Sequence, residues 1–421
     1  MDKLVIAGGK RLSGTVTISG AKNACLPILA ATLLSDEKSV IKNVPALLDM
    51  STMLKILKNF GASVKQEGDC ITVEPKGYTK YTAPYDLVST MRASICVLGP
   101  LLAKQKKAEV YFPGGCVIGP RPIDIHLKGL TALGAKIKVE KGYIVADGKN
   151  LKGTHIYLGG HFGSSVLATD NVMMASTLAK GVTIIENAAC EPEVADLAAF
   201  LVKMGAKIKG YGTPRIIVEG VKKLHGAEHS VIPDRIETGT YMLAGAITKG
   251  DVVLKNAKME HMLALIDKLS EAGLMIKKVP NGIRVKYTKK LKPTDVTTLP
   301  YPGFATDMQA QFMSLMTVTD GISVITEKIY PERFIHISEL NRMGANIILE
   351  GPCAIIKGVK SLSGAPVMAS DLRASAALVL AGLVAKGSTD VQRIYHLDRG
   401  YEMLEEKLIK LGANVWREKE K

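Results

Sequence analysis

The segments KILKNFGASV at residues 55–64 and KLIKLGANV at residues 407–415 carry the pattern that decides the fold. In each segment a leucine-rich amphipathic stretch ends at a glycine, and an alternating run with β-branched residues follows. A glycine in the left-handed conformation commonly ends a helix, and alternation of apolar and polar residues is typical of a strand. The pattern therefore predicts a helix, a left-handed glycine and a strand in direct succession.

The same pattern occurs four more times between these two segments. It reads KGLTALGAKI at 128–137, FLVKMGAKI at 200–208, KLSEAGLMI at 268–276 and ELNRMGANI at 339–347. The six glycines lie 73, 71, 68, 71 and 68 residues apart, so six units fill the chain. A repeat of this kind indicates one supersecondary unit used six times.

Each unit also contains an earlier helix that is rich in small and apolar residues. Examples are NACLPILAATLL at 23–34 and ASAALVLAGLVAKG at 374–387. A helix that is apolar on all sides is buried rather than amphipathic. We therefore expect an α/β fold of two similar domains, each with three βαβαββ-type repeats around buried helices and with sheets outside.

The composition of the 421-residue chain agrees with two or three domains and with real cores, because 47% of the residues are hydrophobic. The longest apolar run, at 376–385, is about half of the ~20 residues that a membrane span needs. The first residues, MDKLVIAGGKR, do not resemble a secretory signal, and none of the six cysteines forms a CxxC pair. The sequence thus predicts a cytoplasmic protein with reduced thiols and, without an HxH or HExxH motif, no metal site.

The charge of the chain indicates anionic partners. Lys and Arg number 55 against 40 Asp and Glu, for a formal net charge of +15. Most of this excess is lysine, which is typical of a solvated surface, whereas arginine recognises carboxylates and phosphates through two parallel hydrogen bonds. The basic cluster KYTKKLKP at 286–293 is better interpreted as a solvated linker than as a nucleic-acid site, since aromatic residues are sparse.

The starts of the six buried helices share two features. Each has a Ser, Thr or Asp where an N-cap belongs, and the candidate caps are Ser19, Ser89, Thr169, Asp234, Thr306 and either Ser370 or Asp371. Three starts also place a cation in the first turn, at Lys22, Arg92 and Arg373. A cation there opposes the helix dipole, which favours an anion bound over these helix ends. The alternative, a cation that only caps a loop, explains one such case better than three.

The loop PGGCVIGPRP at residues 113–122 is too rich in glycine and proline for a helix or a central strand. It holds Cys116 close to Arg121, and a neighbouring cation lowers a thiol pKa. Cys116 is therefore a candidate acid or nucleophile, whereas the other five cysteines are interpreted as small hydrophobic residues. The glycines at 159–163 lack the full spacing of a dinucleotide-binding motif.

Six motifs in order resemble the family of UDP-N-acetylglucosamine enolpyruvyl transferases. They are SGAKNACLPILAA at 19–31, PGGCVIGPRPIDIH at 113–126, PDRIETGTY at 233–241, TDMQAQF at 306–312, DLRASAALVLAGL at 371–383 and RIYHLDRGYE at 393–402. The resemblance implies an inside-out α/β barrel fold shared with 5-enolpyruvylshikimate-3-phosphate synthase. It also implies a discontinuous first domain at 1–21 plus 233–421, and a second domain at 22–232 with a lid loop at 113–122.

The resemblance further implies a reaction. The enolpyruvyl group of phosphoenolpyruvate would move to the 3′-hydroxyl of UDP-N-acetylglucosamine with release of phosphate, the first committed step of peptidoglycan synthesis. Such chemistry needs an acid at C3 of the enol, a base at the hydroxyl and several cations for phosphate and carboxylate. The resemblance also implies two small-molecule substrates and no cofactor, metal, nucleic acid or membrane insertion.

The motif residues take their expected roles from the same resemblance. Cys116 is the expected acid, able to bond covalently to phosphoenolpyruvate, and Asp307 the expected base. Contacts to phosphoenolpyruvate are expected from Lys22, Asn23, Arg121 and Arg399, with Arg373 nearby and Asp371 as a further acid. Lys22 and Arg399 are expected to be catalytic as well. Contacts to the nucleotide sugar are expected from Arg92, Arg121, Pro122, Ile123, Asp124, Ile125, Ser165, Val166 and Ile329.

Two departures from the family pattern affect the nucleotide contacts. Cys96 stands where many members keep an aromatic ring that lies against the uracil, and the segment at 159–171 is about three residues longer, with Leu167 in place of a glycine. Two other functions are weighed against the transferase. One is a relative of the shikimate pathway, which would lack the Cys116 loop, and the other is a basic repeat protein that binds nucleic acid.

Overall fold

A computed structural model describes residues 2–114 and 123–419, and the chain forms alternating helices and strands throughout these ranges. The α-helices are α1 Lys22–Ala31, α2 Leu48–Phe60, α3 Tyr85–Val88, α4 Leu98–Gln105, α5 Asp124–Ala132, α6 Val166–Ser176, α7 Pro192–Lys203, α8 Arg235–Ile247, α9 Leu263–Glu271, α10 Gln309–Thr317, α11 His336–Arg342, α12 Leu372–Val384 and α13 Leu404–Lys410. Short 3₁₀ helices span Thr32–Leu34, Arg92–Val97, Met259–His261, Thr306–Met308 and Ile394–Arg399.

The strands are short, mostly of two to six residues. They are β1 Asp2–Ala7, β2 Ser13–Thr17, β3 Ser39–Lys42, β4 Ser63–Glu67, β5 Cys70–Glu74, β6 Thr82–Ala83, β7 Lys107–Tyr111, β8 Lys136–Glu140, β9 Tyr143–Asp147, β10 His155–Tyr157, β11 Gly159–Gly160, β12 Gly163–Ser164, β13 Val182–Glu186, β14 Lys207–Lys209, β15 Arg215–Glu219, β16 Glu228–Ser230, β17 Asp251–Lys255, β18 Met275–Val279, β19 Gly282–Lys286, β20 Val296–Thr297, β21 Ile322–Thr326, β22 Asn346–Glu350, β23 Cys353–Lys357, β24 Pro366–Met368, β25 Ser388–Gln392 and β26 Asn414–Lys419.

The six glycines that defined the repeat all adopt the left-handed conformation. Their φ angles are 110°, 97°, 98°, 106°, 89° and 94° at Gly61, Gly134, Gly205, Gly273, Gly344 and Gly412. Each follows an outer helix (α2, α5, α7, α9, α11 or α13) and is followed within two residues by a strand. The predicted succession of helix, left-handed glycine and strand is confirmed at all six positions.

The part of the chain that the structure describes contains six four-stranded sheets with one shared pairing pattern. In β6–β7–β9–β8, for example, the first pair is parallel and the next two pairs are antiparallel. The sheets β16–β3–β5–β4, β10–β13–β15–β14, β2–β17–β19–β18, β20–β21–β23–β22 and β24–β25–β1–β26 pair in the same way. The hairpin β11–β12 lies outside this pattern.

The two chain ends meet in one sheet. β1 pairs antiparallel with β26 over Asp2↔Lys419 to Ala7↔Asn414, and with β25 on its other side. The first strand of the chain thus completes the sixth repeat, in the position that β9 holds in the second repeat.

The chain divides into two compact units. Among described residues, unit 1 contains 2–19 and 233–419, and unit 2 contains 20–114 and 123–232. The chain thus changes unit at 19/20 and at 232/233, where the sequence predicted 21/22 and 232/233. The first of these changes lies between β2 and α1. β2 pairs with β17 of unit 1, whereas α1 belongs to unit 2.

Each unit has its own hydrophobic core. In unit 1 the helices α8, α10 and α12 pack against one another, and nearly all of their residues are buried. In unit 2 the corresponding helices are α1, α4 and α6. The two cores share no residue. None of the described helices is both long enough and apolar enough to span a bilayer.

Candidate functional site

The expected site residues lie in both units, and Lys22 belongs to unit 2. Lys22 is the first residue of α1, is 8% exposed, and forms an ion pair of 2.6 Å with the buried carboxylate of Asp49. This pair offsets the cost of a cation at a helix start. Asn23, the next residue, is half-buried.

The backbone before Lys22 is packed too tightly for a side chain. A Cβ atom on Gly20 would lie 1.7 Å from the carbonyl oxygen of Asn43, so only glycine fits there. The N–H of Ala21 donates to the carbonyl of Ile232 at 2.7 Å. These contacts fix the point at which α1 begins and therefore the position of Lys22.

Arg92 is half-buried and opens the 3₁₀ helix Arg92–Val97 that leads into α4. Ile123 is buried in front of α5, Asp124 is exposed and Ile125 is half-buried. A Cβ atom on Gly160 would lie 2.4 Å from Cδ1 of Ile125, so the β11–β12 hairpin lies directly against that side chain. The structure thus brings Ile125 and the segment at 159–164 together.

Ser165 caps α6, and Val166 is its first residue. The Ser165 hydroxyl accepts from the N–H of Ala168, and its carbonyl accepts from the N–H of Thr169. The sequence predicted Thr169 as the cap, which is wrong because α6 begins one turn earlier. Thr169 is buried within the helix instead.

One buried amide connects three of these segments. The Asn171 amide accepts from the N–H of Gly99 at 2.8 Å and donates to the carbonyl of Ile95 at 3.0 Å. Since those backbone groups fix its orientation, its second N–H donates to Nδ1 of His126 at 3.0 Å. Asn171 therefore ties the helix that Arg92 opens to α5 and α6.

His126 is neutral in this arrangement, because Nδ1 must accept a hydrogen bond. Burial, and secondarily the charge of Arg92, lowers its pKa to about 3. Cys96 is likewise fully buried in the core of unit 2, and burial raises the pKa of its thiol. Its side chain presents no surface on which a base could stack.

In unit 1 the expected base lies among arginines. Asp307 sits in the 3₁₀ helix Thr306–Met308, where Arg333 Nη1 contacts its Oδ1 at 2.8 Å and Arg373 Nη2 contacts its Oδ2 at 3.2 Å. Burial alone would raise the pKa of Asp307, but Arg373, Arg333 and Arg235 together hold it well below its usual range. The carboxylate is therefore ionised.

Arg373 is 4% exposed in the first turn of α12, and its guanidinium lies 5.5 Å from the centre of the Tyr401 ring. Its Nη1 has no hydrogen-bond partner among the residues that the structure describes. A buried donor without a partner is costly, and an anionic ligand would satisfy it.

Asp371 and Arg399 lie close to this region. The Asp371 carboxylate caps α12 by accepting from the N–H groups of Arg373 and Ala374 at 2.8 and 3.2 Å. Arg399 ends the helix Ile394–Arg399 and, after burial, is the strongest charge that lowers the pKa of His396. The neighbouring Gly400 packs on α12, since a Cβ atom there would lie 2.5 Å from Leu372.

Ile329 lies in the loop after β21, and its N–H donates to Oε1 of Glu327 at 2.8 Å. This loop also carries Arg333. Cys116, Arg121 and Pro122 lie outside the described residues. Within 2–114 and 123–419, no three His, Cys, Asp or Glu side chains are grouped closely enough to hold a metal ion.

The side-chain caps predicted at Ser19, Ser89 and Thr306 are also wrong. α1 begins after Ala21, the helix of Arg92 after Met91, and Thr306 is itself the first residue of its helix. Asp234 and Asp371 do cap α8 and α12.

Three residues of this geometry were missed by sequence reasoning: Asp49, Glu327 and Arg333. Asp49 and Arg333 lie outside the family motifs, and Glu327 lies in the motif TEKIY at 326–330, where only Ile329 was assigned a role. The one available signal was the scarcity of arginine relative to lysine, which makes an arginine in a loop notable.

Comparison with known proteins identifies the family. Residues 6–408 match the model of the EPSP synthase (3-phosphoshikimate 1-carboxyvinyltransferase) family. The UDP-N-acetylglucosamine 1-carboxyvinyltransferase of Methylacidiphilum infernorum is 57% identical over 99% of both chains, and that of Myxococcus xanthus is 55% identical over 100% of both.

Solved structures share the fold. The enolpyruvyl transferase NikO from Streptomyces tendae superposes with a TM-score of 0.90 at 24% identity over 99% of both chains. EPSP synthase from Acinetobacter baumannii gives 0.75 at 18% identity over 100% of both chains. With its family model and its full-length relatives in agreement, the chain belongs to the EPSP synthase family and, within it, to the UDP-N-acetylglucosamine 1-carboxyvinyltransferases.

Proposed function

We propose that this chain transfers the enolpyruvyl group of phosphoenolpyruvate to the 3′-hydroxyl of UDP-N-acetylglucosamine and releases phosphate, as the first committed step of peptidoglycan synthesis. Full-length relatives at 53–57% identity that are named for this activity support it. The structural observation that carries the proposal is the ionised Asp307 carboxylate held between Arg333 and Arg373.

This arrangement suits the proposed chemistry. Phosphoenolpyruvate brings a phosphate and a carboxylate, so its binding requires cations, and the acceptor hydroxyl requires a nearby carboxylate to take its proton. Asp307 is the proposed base. Nη1 of Arg373, for which the described part of the chain offers no hydrogen-bond partner, is a buried donor that suits an anionic oxygen.

The remaining roles follow from the motifs. Lys22, Asn23, Arg121 and Arg399 are the proposed further contacts to phosphoenolpyruvate, with Asp371 setting the start of α12 next to Arg373. The proposed contacts to the nucleotide sugar are Arg92, Ile329, Ser165, Val166 and residues 121–125.

Cys116 is the proposed acid that protonates C3 of the enol, and the loop at 113–122 the proposed lid. An epoxide phosphonate of the fosfomycin type would alkylate an activated thiolate. We predict that intact-protein mass spectrometry shows one added inhibitor mass and that peptide mapping places it at Cys116. Cys116→Ser serves as the control that takes up no label. Label on any other cysteine would contradict the assignment.

The proposed activity is tested by measuring phosphate release with phosphoenolpyruvate and UDP-N-acetylglucosamine together and with each alone. We expect release only when both are present. Release with shikimate 3-phosphate instead of the nucleotide sugar would favour the shikimate-pathway relative. Tight, steeply salt-dependent DNA binding without any phosphate release would favour the nucleic-acid alternative.

The cytoplasm is the proposed compartment. The five described cysteines, Cys25, Cys70, Cys96, Cys190 and Cys353, are all free thiols, as expected of a reducing environment.

A further inference from the structure

Glu327 directly follows β21 and is fully buried, and it has no role in the proposed chemistry. Its Oε1 accepts from the N–H groups of Ile329 and Tyr330 at 2.8 and 3.0 Å and from the Thr298 hydroxyl at 2.6 Å. Its Oε2 accepts from the Thr306 hydroxyl at 2.9 Å. All four contacts are donated to Glu327, which suits a carboxylate and fixes the loop that carries Ile329 and Arg333.

The contact to Thr306 continues toward Asp307 with a defined direction. Nη1 of Arg333 can only donate, so the Thr306 oxygen accepts from it at 3.0 Å and gives its own proton to Glu327. The same Nη1 contacts Oδ1 of Asp307 at 2.8 Å. The hydroxyl of Thr306 therefore links a buried carboxylate to the guanidinium that faces the proposed base.

We propose that Glu327 is a positioning residue for Asp307: through the Thr306 hydroxyl it holds the Arg333 guanidinium against the Asp307 carboxylate. This inference rests on the proposed function, because it concerns the residue proposed as the base. Its second contact set, to the backbone of Ile329 and Tyr330, positions the loop independently of Thr306.

The consequence is electrostatic. Asp307 is faced by Arg333 from the loop after β21, by Arg373 from α12 and by Arg235 from α8. Arg373 is faced in turn by Tyr401 and Asp234, and Arg333 lies near His336. Loosening Arg333 weakens one of three cations that favour the carboxylate, so it raises the pKa of Asp307.

The relay, by which we mean the link from Glu327 through the Thr306 hydroxyl to Arg333, is tested with Thr306→Val and its matched control Thr306→Ser. Valine keeps the shape of threonine but removes the hydroxyl, whereas serine keeps the hydroxyl. The measurement is the pH dependence of kcat for phosphate release at saturating concentrations of both substrates. We expect the acid limb of Thr306→Val to lie about one pH unit above that of Thr306→Ser, since removing a nearby opposite charge altogether shifts a carboxyl pKa by about 1–3 units. Thr306→Ser should keep the wild-type acid limb.

Two more variants test the two ends of this link, Arg333 and Glu327. Arg333→Gln removes the cation itself and should raise the acid limb further than Thr306→Val. Glu327→Gln keeps an oxygen for the N–H of Ile329 but turns a donor toward Thr306, so it should raise the acid limb and leave the KM for the nucleotide sugar unchanged. A structural defect alone would lower kcat equally at all pH values.

A second readout does not depend on turnover. The infrared antisymmetric stretch of the ionised Asp307 carboxylate at pH 7, assigned by its loss in Asp307→Asn, reports the contact with Arg333, so it should be shifted in Thr306→Val and unshifted in Thr306→Ser. Equal band positions in the two folded variants would overturn the relay even in an active enzyme. A wild-type chain without sugar-dependent phosphate release would instead overturn the proposed function, while the infrared comparison would still decide the relay.

Discussion

The ionised state of Asp307 determines what the proposed base can do. Two guanidinium contacts stabilise the negative charge and leave the carboxylate only weakly basic while both are in place. Nη1 of the buried Arg373 has no hydrogen-bond partner within 2–114 and 123–419, and this nitrogen is our proposed contact to an anionic oxygen of the substrate.

Asp307→Asn keeps the shape of this side chain and removes its charge. We predict that kcat for phosphate release falls by about 10²–10⁴-fold, the usual contribution of a general base, while the Kd for UDP-N-acetylglucosamine measured by calorimetry stays within error. The control is Asp320→Asn, which alters an exposed acid paired with Lys290. Full turnover in Asp307→Asn would remove it as the base.

A second single residue, His126, makes the free energy of unfolding depend on pH. Its pKa is about 3 in the folded chain and about 6.5 when unfolded, so between these values only the unfolded chain binds the proton. The contribution of His126 to the free energy of unfolding is therefore fully present above pH 6.5 and is lost as the pH falls toward 3.

His126→Gln keeps an oxygen that can accept from Asn171 but cannot titrate. Between pH 7 and pH 5 we predict that the wild-type free energy of unfolding in urea falls by about 2 kcal/mol more than that of the variant. Parallel pH profiles for the two proteins would show that His126 takes up no proton on unfolding in this range.

At the scale of elements, the sequence predicted what local chemistry determines. The six glycine positions followed from a rule about one residue and its neighbours, and each was correct. The predicted caps at Ser89 and Thr169 were wrong because the start of a helix also depends on what its first turn packs against. Glu327 and Arg333 were missed for a related reason: their partners Thr306 and Asp307 lie about twenty or more residues away, and no local pattern marks such pairs.

Asn171 is the element-scale contact with the clearest consequence. Asn171→Leu leaves the N–H of Gly99 and Nδ1 of His126 without the amide in the core, whereas the carbonyl of Ile95 still accepts from the N–H of Leu98. At about 1–3 kcal/mol for each of these two unsatisfied groups, we predict a loss of at least about 2 kcal/mol in the free energy of unfolding. Because the amide ties the helix that Arg92 opens to α5 and α6, the Kd for UDP-N-acetylglucosamine should rise as well.

The matched control is Asn59→Leu, which removes one amide contact to the carbonyl of Thr82 in the same unit. It should cost about 1 kcal/mol and leave nucleotide affinity unchanged. A destabilised Asn171→Leu that binds the nucleotide sugar with wild-type affinity would show that the amide supports the fold without positioning the site.

At the scale of the whole molecule, six sheets with one pairing pattern are divided between two cores that share no residue. Sequence periodicity predicted this organisation because each repeat is a local unit. The closure of the sixth sheet by the first strand was not predicted, since β1 and β26 are at opposite ends of the chain and only their pairing reveals it.

Separate cores predict separate responses to core substitutions. Ile6 in β1 and Ile71 in β5 are both fully buried and occupy the same position in their sheets, the third strand of four. Replacing either by alanine removes buried methyl groups and leaves a cavity, at a cost of about 2–5 kcal/mol. In hydrogen exchange followed by mass spectrometry, Ile6→Ala should lower protection in the sheets of unit 1 and leave unit 2 at its wild-type level. Ile71→Ala should do the reverse, so that each variant is the control for the other. Loss of protection in both units from either substitution would mean that the two cores unfold as one cooperative structure.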